Sequence, residues 1–247
     1  MVNDMFELKN IKKSYDNNLV LNDINIKVET GEIVGLIGKS GAGKTTIIKV
    51  ATMLENVDSG ELIIDGETYD LTHLSDKEIR GLRLREGLVF QNFNLFKNKT
   101  VLENVTEGLI YARGYKKEEA DEVAFEALKK VDMLYKKDEY PKSLSGGESQ
   151  RVGIARSIVY NPSVIFLDEP TSALDIENKQ EVINVLKSIK DNKRSILLVT
   201  HEISLVKVLA DRVYFISDSK IREEGKTSEI LENPKSEELK HFLQSEI

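Results

Sequence analysis

Polar and apolar positions alternate with two different periods along this chain. In residues 5–30 the period is two: Phe6-Glu7-Leu8, Leu19-Val20-Leu21 and Ile24-Asn25-Ile26-Lys27-Val28 flank the turn signal Asp16-Asn17-Asn18. That pattern predicts an antiparallel strand pair with one buried face. Gly60-Glu61-Leu62-Ile63-Ile64-Asp65-Gly66 predicts a further strand with a tight turn. Elsewhere the apolar runs are short and unbroken: Ile33-Val34-Gly35-Leu36-Ile37, Gly87-Leu88-Val89-Phe90, Val164-Ile165-Phe166-Leu167 and Ser195-Ile196-Leu197-Leu198-Val199-Thr200. Such runs read as strands buried on both faces. Val213-Tyr214-Phe215-Ile216 is expected as an edge strand.

Between these strands the spacing becomes helical, over residues 46–54, 75–86, 101–113, 116–132, 147–160, 176–192 and 202–210. Ser75 is placed to cap the second of these, with Glu78 in capping-box position. Gly114-Tyr115 separates the third from the fourth, and the fifth must stop before Pro162. Strands alternating with helices predict an α/β fold: a mainly parallel sheet with helices on both faces. We divide the single expected domain into an α/β core with an antiparallel β part (1–91 and 160–247) and a helical insertion (92–159).

Composition narrows the chemistry. Of 247 residues, 40% are hydrophobic and 31% charged, as in ordinary globular proteins. There are no cysteines, which excludes thiol catalysis and Cys-ligated metals, and the three histidines have no zinc-like spacing. A net charge of −7 argues against a nucleic-acid partner. No apolar run approaches the roughly 20 residues that span a bilayer. The opening Met1-Val2-Asn3-Asp4-Met5-Phe6-Glu7 lacks the basic and apolar regions of a secretory signal. The expectation is a cytosolic protein that meets a membrane only through a partner.

Gly38-Lys39-Ser40-Gly41-Ala42-Gly43-Lys44-Thr45 fits the phosphate-loop pattern, between a buried strand and a helix that opens at Thr46. Its glycines allow backbone angles that a Cβ forbids, so successive N–H groups can turn toward phosphate oxygens at a helix start. Lys44 would reach the β- and γ-phosphates, and the Thr45 hydroxyl would hold Mg²⁺. The strand ending in Asp168-Glu169 should finish beside this loop. Asp168 would then hold the metal, and Glu169 would polarise a water in line with the γ-phosphate. Gln91 and His201 each follow a buried strand and could touch metal, water or γ-phosphate by the same geometry. A lone strand-end histidine is more often structural.

Leu144-Ser145-Gly146-Gly147-Glu148 places a hydroxyl and two bare glycines at another helix start. Alone, this is a serine cap and a glycine turn. Beside a phosphate loop it is a second anion-binding surface without a full cradle. A head-to-tail homodimer resolves this, each chain's Ser145-Gly146-Gly147 closing over the nucleotide of the other.

Together these motifs resemble the ATP-binding subunit of an ABC transporter, over nearly the whole chain. GKSGAGKT resembles that family's Walker A, LSGGE its signature, VIFLDE its Walker B and SALD (172–175) its D-loop, with Gln91 at the Q-loop and His201 at the H-loop. Tyr15 matches the aromatic that stacks on adenine. The resemblance implies a P-loop NTPase (RecA-like) core, an antiparallel β subdomain and an inserted α-helical subdomain. It also implies two ATP between two chains, with Glu169 as general base and His201 as its partner. Lys39 stands where many relatives have a small residue or proline. Glu148 stands where importers usually have Gln, placing a negative charge near the partner's nucleotide.

Phe90-Gln91-Asn92-Phe93-Asn94-Leu95-Phe96, Thr100-Val101-Leu102-Glu103-Asn104-Val105, Lys116–Ala120 and the ending Glu224-Gly225 … Glu232-Asn233-Pro234 resemble the polar amino-acid uptake subfamily. That resemblance implies permease subunits and, indirectly, an extracytoplasmic solute-binding protein. No extra C-terminal regulatory domain of the methionine or maltose type is expected. Phe93, Leu95 and Phe96 would line a groove for a permease helix or belong to the helical core. The alternatives are the ATPase of a lipoprotein-release or exporter complex, or a soluble ABC protein of translation or DNA repair. A switch GTPase would need an Asn-Lys-x-Asp guanine reader, which the chain lacks.

Overall fold

The computed structural model describes residues 6–16, 18–191 and 193–245. Met1–Met5, Asn17 of the predicted turn and Asn192 of the predicted sixth helix lie outside these. Two sheets form the frame. The first is antiparallel, with β1 (Phe6–Tyr15), β2 (Asn18–Val28), β4 (Ser59–Ile64) and β5 (Glu67–Asp70) in the order β2-β1-β4-β5. The second has β3 (Ile33–Ile37), β6 (Glu86–Val89), β7 (Val164–Asp168), β8 (Ser195–Val199), β9 (Arg212–Ser217) and β10 (Lys220–Lys226) in the order β10-β9-β3-β8-β7-β6. All its pairings are parallel except β10 with β9.

The expected edge strand is therefore interior: β9 lies between β3 and β10. The polar strand β10, KIREEGK, takes the edge, with alternate residues exposed. Its solvent face gave it no apolar run to announce it, and β5 was hidden for the same reason.

Each interior strand divides its side chains between two cores. Ile165 and Leu167 of β7, and Ile196 and Leu198 of β8, pack into a core built with helices α3 (Val101–Tyr111), α4 (Lys117–Lys130), α5 (Gly146–Ile158), α6 (Ile176–Ile189) and α7 (Ile203–Leu209). Val164, Phe166, Leu197 and Val199 face the other way, into a core shared with α1 (Lys44–Ala51) and the antiparallel sheet. This is why these strands read as unbroken apolar runs. Only one face is covered mainly by helices. On the other, α1 is sandwiched between the two sheets, and Phe6 meets Phe166 edge-on with ring centroids 5.2 Å apart.

Local signals set the helix starts. Ser75 and Glu78 form the predicted capping box of α2 (Asp76–Arg83). Thr100 with Glu103 does the same for α3, and Ser145 with Glu148 for α5. The loop between Gln91 and α3 is held from two helices. Asn104, fully buried, accepts from Phe96 N–H at 2.7 Å and donates to the carbonyls of Phe96, Lys99 and Thr100. Arg156 donates to the carbonyls of Asn94 and Phe93. Phe93 and Leu95 pack against the helical core, while Phe96 is exposed.

At the start of β6, Glu86 is 7% exposed and its Oε1 has no hydrogen-bond partner. Burial pushes its carboxyl well above the usual range, against a weaker pull from Arg83. The folded chain thus keeps this proton while the unfolded chain releases it above pH ~4.5. Stability from this group is full below that pH and falls as pH rises toward the folded value. Glu86→Gln should therefore stabilise the protein by about 1–3 kcal/mol at pH 8. Calorimetric melts should show the gap between variant and parent widening from pH 5 to 8; a constant gap contradicts the assignment.

Candidate active site

Register brings the site together. Leu36 pairs with Val199, and Val199 with Asp168, so β3, β8 and β7 end in one row. The phosphate loop leaves β3 at this row, His201 follows β8 and Glu169 follows β7. Val89 pairs with Leu167, which sets Gln91 at the same rim. A cavity of about 350 Å³ opens there, lined by Val20, Ser40, Gly41, Gly43, Lys44, Thr45, Thr46, Gln91, Glu169 and His201. Lys39 and Ala42 line an adjoining hollow with Ser40 and Gly41. Val20, from β2, was not anticipated, because a strand valine carries no signal of a site.

The loop needs its glycines in physical terms. Gly43 caps α1 at φ 101°, and a Cβ there would meet Leu21 Cδ2 at 2.9 Å and Val20 O at 3.2 Å. A Cβ on Gly38, at φ 156°, would lie 2.3 Å from the Ile216 carbonyl. Gly41 faces open space, where a ligand can approach the backbone. Lys44 Nζ donates to the carbonyls of Gly38 at 2.7 Å and Lys39 at 3.1 Å, which fixes its ammonium within the loop.

Thr45 Oγ1 lies 3.4 Å from Asp168 Oδ1. Burial first, and the neighbouring Glu169 second, push the Asp168 carboxyl upward, against the pull of Thr45 and Lys44. A cation beside the pair would relieve that repulsion. One hydroxyl, one carboxylate and the Gln91 amide at the rim are hard oxygen donors of the kind Mg²⁺ takes. Among the described residues there is no cluster of three or more His, Cys, Asp or Glu side chains able to hold a metal. The set thus suits an ion that keeps much of its shell on water and phosphate.

Glu169 is the strained member. It has φ 48°, left-handed backbone that costs an ordinary side chain about 1–2 kcal/mol. Its N–H bonds Val199 O at 2.9 Å. Both carboxylate oxygens are engaged: Thr200 Oγ1 donates to Oε2 at 3.1 Å, and His201 Nδ1 lies 2.9 Å from Oε1. Thr200, fully buried, was also not anticipated, although it directly precedes His201 at the end of β8. Tyr15 sits to one side, exposed, its ring 4.6 Å from Lys13 Nζ. Its phenol is raised by burial and by Glu55.

Ser145, Gly146 and Gly147 do not line this cavity. They form the start of α5, where Ser145 Oγ accepts from Glu148 N–H at 3.1 Å and Ser145 N–H donates to Glu148 Oε2 at 2.8 Å. Glu148 is further held by Lys136 Nζ at 2.6 Å and by Tyr135 Oη at 3.2 Å. Burial lifts its carboxyl, but Lys136 and the Ser145 N–H outweigh this and keep it below the usual range. Glu148 thus has a counter-charge and hydrogen-bond partners within its own chain.

A glycine loop between a parallel strand and a helix, with a hydroxyl beside one acid and a second acid at the same strand end pinned from the neighbouring strand, defines a P-loop nucleoside triphosphatase. The ABC transporter family profile matches residues 21–172. An L-cystine transport system ATP-binding protein of Escherichia coli is 42% identical over 241 residues, 96% of each chain. A glutamine transport ATP-binding protein of the same organism is 40% identical over 97% of this chain and 99% of its own. Among solved structures, a dimeric post-hydrolysis ATP-binding cassette bound to ADP and phosphate superposes with a TM-score of 0.78 and 34% identity, covering 90% of this chain and 98% of that one. The chain belongs to the ABC transporter family, as an ATP-binding, ATP-hydrolysing subunit.

The internal compensation of Glu148 has a measurable consequence. Glu148→Gln keeps the capping box. It should shift the ATP concentration for half-maximal turnover by less than about threefold, the scale of one partly exposed ion pair. Lys136→Ala, which leaves the carboxylate uncompensated, should shift it further. The reverse order would place the charge of Glu148 on the nucleotide.

Proposed function

We propose that this chain drives uptake of a polar amino acid through a membrane permease by hydrolysing ATP in a head-to-tail homodimer. The observation that carries the reading is the split site. The cavity is lined by phosphate-loop residues and Glu169, with Asp168 beside Thr45 at 3.4 Å, while the Ser145–Gly147 turn opens elsewhere on the same chain. The polar amino-acid substrate is supported by the cystine and glutamine transport relatives, each matched over nearly its full length.

In this reading Gly38–Thr46 cradle the triphosphate, Lys44 contacts its β- and γ-oxygens, and Tyr15 stacks on adenine. Thr45, Asp168 and Gln91 hold Mg²⁺, which neutralises phosphate charge when bound. Glu169 accepts the proton of the water that attacks the γ-phosphorus as the bond to the ADP oxygen breaks. Thr200 and His201 fix its two oxygens, so the base is positioned before substrate arrives. Ser145, Gly146 and Gly147 supply a hydroxyl and helix-start amides to the γ-phosphate held by the other chain.

Residues 92–159 act as a helical unit that carries this turn. A groove of about 410 Å³, lined by Leu88, Phe90, Phe96, Gly108, Arg156 and Tyr160 among others, would receive a cytoplasmic segment of the permease. No helix among the described residues is long and apolar enough to cross a membrane, which fits a peripheral subunit held at the cytoplasmic face by its permease. A solute-binding protein would deliver the amino acid from outside. Genes for such a permease and receptor beside this one would favour uptake over export. Reconstitution with that permease and receptor in vesicles, followed by uptake of labelled polar amino acids, tests the substrate class.

Glu169→Gln should lower ATP turnover by at least about a hundredfold, the scale of lost general-base catalysis, yet accumulate an ATP-bound dimer on gel filtration. Turnover near that of the parent contradicts the base assignment. Ser145→Arg should abolish the ATP-dependent dimer while leaving ATP binding by the monomer within about threefold by calorimetry, because the phosphate loop is untouched.

A further inference from the structure

The two glycines after Ser145 are not required by backbone angles, since neither has a positive φ. Gly147 is required by space and Gly146 is tightly placed, and the atoms that fill the space come from the same chain. A Cβ on Gly146 would lie 3.2 Å from Leu174 Cδ2. A Cβ on Gly147 would lie 2.3 Å from Asn178 Oδ1, 2.7 Å from Cγ and 2.8 Å from Cβ, distances no real contact tolerates. Leu174 belongs to the Ser172–Asp175 segment that follows Glu169, and Asn178 to the first turn of α6.

Asn178 is itself held. Its Nδ2 donates to both Asp175 oxygens, at 2.9 and 2.8 Å, and its backbone N–H donates to Asp175 Oδ1 at 2.9 Å. With Nδ2 turned to the Asp175 carboxylate, Oδ1 faces the place a Cβ on Gly147 would take. Ser145 Oγ stands 3.5 Å from the same oxygen. One helical step further, Glu181 of α6 pairs with Arg151 of α5. Residues 178 and 181 share a face of α6, and 147 and 151 share a face of α5. Asn178 is therefore the outer end of a seam between these two helices.

We infer that Asn178 is a positioning residue for the composite site. It clamps the Ser145–Gly147 turn to Asp175, so that the turn offered to one nucleotide moves as a unit with the segment leading from the base of the other. This deepens the proposed function and rests on its head-to-tail dimer. The side chain touches no nucleotide. It acts by holding the glycine turn at one height and orientation over α6.

The test uses the full chain carrying Glu169→Gln, which traps the ATP dimer, with sedimentation as the readout. Asn178→Ala should weaken ATP-driven dimerisation about tenfold. ATP binding by the monomer should stay within twofold, a split that general loss of stability would not produce. Gly147→Ala should remove the dimer. Adding Asn178→Gly, which deletes every atom the new Cβ would strike, should recover at least tenfold of it. The helix penalty of that glycine falls only on the double variant, so it works against the recovery and cannot produce it. The inference is overturned if Asn178→Ala dimerises like its parent, or if Gly147→Ala is equally impaired with and without Asn178→Gly. Ser145→Arg separates the two ways of failing. If it blocks the dimer while Asn178→Ala does not, the clamp alone is wrong. If it too dimerises, the head-to-tail arrangement is wrong and the clamp falls with it.

Discussion

The row Leu36–Val199–Asp168 across three parallel strands is the constraint on which the rest depends. Each of these strands is buried on both faces, so its side chains must alternate between two dry cores. A slip of one residue would exchange the faces of a whole strand. Register is thereby fixed by packing, at a cost far above any single polar contact. What packing fixes in the middle of the sheet, chemistry uses at its end. Glu169 and Thr200 are each the first residue past their paired strand ends. The hydrogen bond between them follows from the pairing of Asp168 with Val199.

This is also why so much of the site was legible beforehand. An apolar run of fixed length followed by a polar residue marks both the strand and the place where it ends. Asp168, Glu169, His201 and Gln91 all carry that signature, and the phosphate loop carries its own. Thr200 was passed over because a threonine in a strand is ordinary, and only register shows that its hydroxyl meets a carboxylate. Val20 was passed over because it enters from the antiparallel sheet, whose docking against the parallel one leaves no local trace. β9 is interior because the strand that follows it, β10, pairs along its outer side. The strand that shields it, β10, alternates charge with half-buried positions, and that pattern does not mark a strand strongly.

Glu148 shows a different limit. Its sequence position says that a charge stands in a turn meant for phosphate, but not where the carboxylate points. A glutamate three residues after a serine cap has a local partner in the Ser145 N–H. Lys136 then supplies the counter-charge from a neighbouring turn. At this helix start the acid's partners all come from its own chain. Glu86 is the opposite case. No hydrogen bond reaches its buried Oε1 and Arg83 only partly offsets the burial, so the carboxyl is pushed toward its neutral form.

The positions of glycine within one motif separate two physical reasons for the same residue. Gly43 is glycine because the backbone is left-handed and Leu21 lies against it. Gly147 is glycine because Asn178 occupies the volume of its side chain, in backbone that any residue could adopt. The first serves a ligand directly. The second serves a contact between α5 and α6, which joins the surface turn to Asp175 and hence to the loop beginning at Glu169. A chain that must build half of one site and half of another needs its two halves in fixed relation. The covalent route between them runs through α5 and β7, and the segment from Glu169 through Ser172–Asp175 into α6 closes a second route, completed through space at Asn178.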